Sequence, residues 1–178
     1  MAKISSELGL TEAELEELLT TTWNMRIATI GPGDRINLTP MWFGWGGGRV
    51  YFHCRGQKIA NLRRNPSATV LVDRNERFPE LQAVMFQGTA EVREDAEAEA
   101  ADPHLEEVRW QMGTKYAGGH GEATPPPGTK LRNGATARGR GWRWVVFTPS
   151  STVTWDNTKL VLGPASAAID AFVAEPEP

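Results

Sequence analysis

Residues 51–66, YFHCRGQKIANLRRNP, decide how the rest of the chain is read. YFHC is a strand-like run and Arg55–Gly56 is turn chemistry. Ile59 and Leu62 then recur at helical spacing until Pro66, which cannot continue a helix. A short helix therefore starts directly after a strand. Its N-terminus leaves several backbone N–H groups without partners and carries a partial positive charge. Acidic residues favour such a turn, yet the chain places Arg55 just before it and Lys58 inside it. The junction therefore suits a phosphate or a carboxylate. The competing reading is that both cations point into water as solvated surface charge. Arg63 and Arg64, near the helix C-terminus, complement the dipole and are read as structural or solvent-facing.

In the preceding strand, Val50, Phe52 and Cys54 alternate onto one face, which makes Cys54 a small buried hydrophobe rather than a nucleophile. Tyr51 and His53 share the opposite face, which either lines a pocket or packs. MRIATI, INLTPMWFGW and RVYFHC are β-like runs divided by GPGDR and GGG, a meander of hairpins. Pro40 has no N–H to give a ladder, so its position is an edge or a bulge. Thr11 and Glu14 form a capping box for a helix over 11–20 with Leu15, Leu18 and Leu19 as its apolar stripe.

Beyond the opening stretch, SATVLVD and QAVMFQGTAEV are strands, the second with a bulge expected at Gly88. Residues 95–117 are helical, with Asp102 as cap, Pro103 as first residue and Leu105, Val108, Met112 and Tyr116 along one face. Residues 118–141 are rich in Gly, Pro and small polar residues and read as a long loop. WRWVVFT and TVTWD return to strand within 142–163, and 164–178 hold a terminal helix and tail. The expected architecture is a single mainly β domain over 1–178, with its core in 25–93. It is an antiparallel, roughly six-stranded β-barrel carrying helices.

Composition narrows the function. Lys and Arg total 19 against 22 Asp and Glu, a formal charge of −3, so no global field favours nucleic acid or an anionic membrane. Any anion site must be local. One cysteine, no zinc-type spacing and no signal-peptide pattern suit a reducing cytoplasm. GPG and GGG are followed by strands, which excludes a dinucleotide fingerprint, and no P-loop or nucleophile elbow occurs. His53, His104 and His120 lie far apart, so no metal site is expected. The seven Trp are either large packing residues or a flat wall for a planar ligand.

In order, RIATIG, LTPMWFGW, RVYFHCRGQKIANLRRNPSATVLVD, AVMFQGTAEV and VVFTPSSTVTWDNTKL resemble the pyridoxamine 5′-phosphate oxidase-like superfamily. These are the flavin-binding split β-barrels, and within them the sequence is similar to the flavin/deazaflavin-dependent oxidoreductases. The resemblance implies that Lys58 holds a cofactor phosphate with Arg55 as second cation. Pro40, Met41, Trp42 and Phe43 would then contact the isoalloxazine ring, while Tyr51, Phe52 and His53 lie beside the ribityl-phosphate. Asn61 joins the cofactor-binding set, and Gln87 reaches the cofactor of a second subunit in a homodimer. His53 and Tyr51 are the candidate proton donors. Gln57–Lys58 stands where the oxidase has an arginine-lysine pair, and its substrate-binding arginine and histidine motif is not evident in TVTWDNTKL, so pyridoxine phosphate oxidation is not expected.

The implied activity is hydride transfer between FMN or coenzyme F-420 and an organic acceptor. Lys130, Arg132, Arg138 and Arg140 suit the polyglutamyl tail of F-420, whereas Tyr51-Phe52-His53 looks more like FMN-binding relatives, so both cofactors stay open. The alternatives are a non-catalytic flavin- or haem-binding carrier or sensor, and a ligand-free β-barrel dimer.

Overall fold

Alternation of apolar residues sets the inside of the sheet. In β1 (Met25–Ile30) Met25, Ile27 and Thr29 are buried while their neighbours are not, and in β5 (Ser67–Arg74) Ala68, Val70 and Val72 follow the same rule. The computed structural model describes residues 8–117 and 141–160. The other strands are β2 (Ile36–Met41), β3 (Gly44–Gly46), β4 (Arg49–Cys54), β6 (Gln82–Arg93) and β7 (Arg143–Asp156). The helices are α1 (Glu12–Thr21), α2 (Gln57–Arg64), α3 (Ala96–Ala100) and α4 (Leu105–Ala117).

The strands form one antiparallel sheet in the order β2-β1-β5-β6-β7-β4-β3. Its two edge strands, β2 and β3, are consecutive in the chain and separated only by Trp42 and Phe43. The sheet therefore curls until its edges meet at that link, which makes a split β-barrel. Counted as one bent strand, β2 and β3 reduce seven strands to the six expected from the sequence. The link is held from outside: the Tyr116 hydroxyl accepts from the Phe43 N–H at 3.0 Å and lies 3.0 Å from the Phe43 carbonyl and 2.8 Å from the Trp23 carbonyl.

The interior is filled by Ile27, Phe52, Val70, Phe86 and Phe147, with Leu18 and Leu19 of α1 and Ile59 and Leu62 of α2 packed into the same core. The Thr11 capping box forms as expected: the Thr11 side chain accepts from the Glu14 N–H, and the Glu14 carboxylate accepts from the Thr11 N–H. Cys54 is buried in the same core, and burial pushes its thiol up to about 12. A second apolar cluster lies outside the barrel, where Leu105, Val108, Met112 and Tyr116 of α4 cover Tyr51, Trp144 and Val146.

Three boundaries differ from expectation. The two C-terminal strand segments are one continuous 14-residue strand, because pairing with β6 along its whole length overrides the turn-like Pro149-Ser150-Ser151. The irregularity expected at Gly88 falls between Gln87 and Gly88, but the extra residue belongs to β7: Gly88 pairs with Pro149 and Gln87 with Ser151, leaving Ser150 to donate its hydroxyl to the Gln87 carbonyl at 3.1 Å. The helical stretch is broken into α3 and α4, and Asp102 caps the turn between them by accepting from the His104 N–H at 3.0 Å. The expected loop at 118–140 and the terminal helix over 164–178 lie outside the described residues. Among the described residues no helix is long and apolar enough to cross a membrane.

By register, Leu38 of β2, Ala28 of β1, Thr69 of β5, Gln87 of β6 and Ser151 of β7 form one row of the outer face, and Pro40, Arg26, Leu71, Met85 and Val153 the next. At its edge Ile36 is 74% and Leu38 63% exposed. This open, partly apolar face is opposite the side filled by the core.

Gly88 is required by the crossing with β7: a Cβ there would sit 2.1 Å from the Thr148 carbonyl oxygen, and backbone cannot move aside. Gly88→Ala is therefore expected to cost about 1–3 kcal/mol, read as a melting temperature lowered by several degrees. An unchanged melt would refute the close contact.

Candidate functional site

Helix α2 begins at Gly56, whose φ of 72° and ψ of −135° only glycine adopts comfortably, and no side chain caps the helix. Its first turn holds no acidic residue. Ile59 and Leu62 bury one face in the barrel. Asn61 is fully buried, donating to Thr29 Oγ1 of β1 at 3.1 Å and accepting from Gln57 Nε2 at 2.8 Å. At the far end Arg63 pairs with Glu94, and Arg64 donates to the Ile30 carbonyl. The N-terminal turn is thus fixed on the barrel from within and left open without.

Most basic side chains of the described residues face a carboxylate. Arg26, Arg49, Arg63, Arg74, Arg93, Arg109, Arg143 and Lys159 all do. Arg55 and Lys58 have no such partner among the described residues, although they flank a helix end that already carries positive potential. Arg55 is exposed and its guanidinium lies over the Trp142 ring at 5.1 Å. Two cations beside the N-terminal N–H groups of a helix are residue types that suit a phosphate. The Gly56 turn leaves open space where a Cβ would stand.

The other residues expected at the site are distributed as follows. His53 lies on the outer face between Trp142 and Trp144, with ring centroids 5.0 and 5.1 Å away, and burial, ahead of the opposing pull of Glu99, holds its pKa below the ordinary value. Pro40 is exposed on the edge strand and Met41 is packed partly against the core. Trp42 is 43% exposed and stacks on Tyr116 at 4.5 Å. Gln87 is exposed on the open outer face.

Phe43, Tyr51, Phe52 and Asn61 are fully buried, so in this chain their side chains meet protein on every side. Tyr51, a candidate proton donor from the sequence, is engaged within the protein. Its hydroxyl donates to Asp102 Oδ1 at 3.0 Å under α4, and burial, then Asp102, push it up to about 12. Burial works to raise the Asp102 carboxyl, but hydrogen bonds from His104, Arg93 and Tyr51 outweigh it and hold the group below the usual carboxylate range. The cluster ties α4 to the sheet. Lys130, Arg132, Arg138 and Arg140 lie outside the described residues.

Two side chains near these elements were not placed beside Arg55 or Phe43 by the sequence. Trp142 meets Arg55 only because β7 runs beside β4. Lys115 of α4 places its ammonium 4.1 Å from the Phe43 ring centroid, and burial pulls it down to about 8. The Gly56 turn gives a direct check of the geometry. Because nothing stands within 4 Å of a Cβ there, Gly56→Ala carries only the backbone cost of about 1–3 kcal/mol, and a denaturant melt should show that loss. Equal stability would mean that the turn has another conformation.

A conserved hypothetical protein, Rv2991, from Mycobacterium tuberculosis superposes with a TM-score of 0.71 at 24% identity, covering 93% of this chain and 99% of that one. The heme storage protein HutZ from Vibrio cholerae gives 0.59 at 14% identity, over 81% of this chain and 94% of its own. An FAD-binding protein from Mesorhizobium loti gives 0.56 at 18% identity, over 82% and 94%. At these identities the likeness is one of fold. No curated protein matches the chain. The sequence pattern described as pyridoxamine 5′-phosphate oxidase matches residues 11–131, which is more than half of the chain, and with the split barrel it fixes the family. The chain belongs to the pyridoxamine 5′-phosphate oxidase family.

Proposed function

We propose that the protein is an oxidoreductase that holds FMN or the deazaflavin coenzyme F-420 by its phosphate at the N-terminus of α2 and serves hydride transfer to an organic acceptor. The observation that carries this reading is the pair Arg55 and Lys58, without acidic partners among the described residues at a helix end that has no acid in its first turn, in a chain of this family. The cofactor, when bound, supplies the hydride chemistry. The chain's part is to bind and orient. The free N–H groups of α2 with Lys58 and Arg55 neutralise the phosphate, and the buried Asn61 keeps that helix end still. Trp42 offers a flat surface next to Pro40 and Met41 for a planar ring.

Two copies joined through the open face of β2, β1, β5 and β6 complete the arrangement, with Gln87 reaching across to the partner's cofactor. The exposed Ile36 and Leu38 support this, since apolar side chains of that exposure gain from being covered. A non-catalytic carrier of flavin or haem is the second reading. It is favoured by the engagement of both candidate proton donors, Tyr51 by Asp102 and His53 by two indoles.

Titration of the purified protein with FMN and with F-420, followed by absorbance and fluorescence, tests the first reading. Lys58→Ala and Arg55→Ala are each expected to weaken binding about tenfold or more. Unchanged affinity in both variants would sink the phosphate site, and binding without turnover of quinones or enones would leave the carrier. For the dimer, Leu38→Lys should convert the sedimenting species to monomer; a monomeric wild type would remove the shared-cofactor arrangement.

A further inference from the structure

Arg55 is held by a stack that no nearby sequence announces. Its guanidinium carbon is 5.1 Å from the Trp142 ring centroid, Trp142 lies on His53 at 5.0 Å and 28°, and His53 lies on Trp144 at 5.1 Å and 28°. Behind Trp144, Arg109 of α4 sits 5.4 Å from that ring and pairs with Glu99. The register of β4 on β7 sets His53 directly opposite Trp144 and Cys54 opposite Arg143, so the order of the stack is fixed by sheet pairing. Trp144 is only 2% exposed and belongs to the cluster under α4, which makes the inner end rigid. Arg55, the outer end, is exposed and has no carboxylate among the described residues.

A free arginine side chain loses rotamer freedom when it clamps a ligand, and one already laid on an indole has lost part of it beforehand. The flat guanidinium keeps its edge N–H groups available while its face rests on a ring. A lysine at the same place would lack the flat face.

We propose that Trp142 is the positioning residue that lays Arg55 toward the phosphate end of α2, with His53, Trp144 and Arg109 forming the stack that fixes Trp142 in turn. The inference rests on the phosphate site proposed above. The arrangement gives the site its selectivity for phosphate-bearing over phosphate-free flavin, because the stack acts on the cation that meets the phosphate and not on the ring.

FMN and riboflavin, titrated by flavin fluorescence quenching, separate these roles; if the wild type takes deazaflavin instead, F-420 and its phosphate-free chromophore replace them. Trp142→Leu should weaken FMN about two- to fivefold and leave riboflavin unchanged, Trp142→Phe should restore most of the loss, and Arg55→Lys should behave like Trp142→Leu. The Arg55→Ala, Trp142→Leu double variant should bind FMN no worse than Arg55→Ala alone. The proposal falls if Trp142→Leu binds FMN like the wild type, if it loses riboflavin in the same proportion, or if the double variant is additive. Should Trp142→Leu fail to fold, the phenylalanine and Arg55→Lys variants carry the same test. A wild type with FMN preference lost in Lys58→Ala but untouched by Trp142 changes would end the positioning role alone. A wild type with no phosphate preference, and no effect of Lys58→Ala, would end the phosphate site and this inference with it.

Discussion

Closure of the sheet at the Trp42–Phe43 link is the constraint on which the molecule depends. A seven-stranded antiparallel sheet has two free edges, and here both belong to neighbouring segments of chain, so the sheet can meet itself only by bending between them. The bend frees the Phe43 backbone from any ladder, and the Tyr116 hydroxyl takes up its N–H. Burial raises the phenol well beyond its ordinary value, so it stays protonated and able to donate to a carbonyl of Phe43 or Trp23. Closing the sheet defines an inside, into which α1 and α2 pack their apolar faces, and an outside for α4.

Once the barrel exists, the position of α2 follows from its inner face. Ile59 and Leu62 are drawn into the core, and Asn61 spends its polar groups on Thr29 and Gln57. The helix end that remains outward carries two cations and no acid. Among the described residues these two cations face no carboxylate, whereas Arg26, Arg49, Arg63, Arg74, Arg93, Arg109, Arg143 and Lys159 do. What separates them from other exposed cations such as Arg35 and Arg77 is the helix N-terminus beside them, which has no acid in its first turn.

Much of this was legible in the sequence because local rules govern it. The Thr11–Glu14 box, the stop at Pro66 and the alternation of Val50, Phe52 and Cys54 each act within a few residues, and each forms as read. What was not legible depends on residues distant in sequence. Nothing near Tyr51 announces that α4 will cover it, so its face was open to being either a pocket wall or a packing surface. WRWVVFT and TVTWD read as two strands because the ladder to β6 that joins them through Pro149 and Ser150 is formed by another segment. The stack through His53 needs β4 and β7 side by side, a pairing that no spacing within either strand encodes.

Anchoring through Asn61 has one more consequence. The buried amide ties the helix to β1, so in the proposed site the helix end is held in place before an anion arrives. In the proposed site an anion would dock onto a post already in position, so discrimination among visitors would be decided by where their negative charge sits.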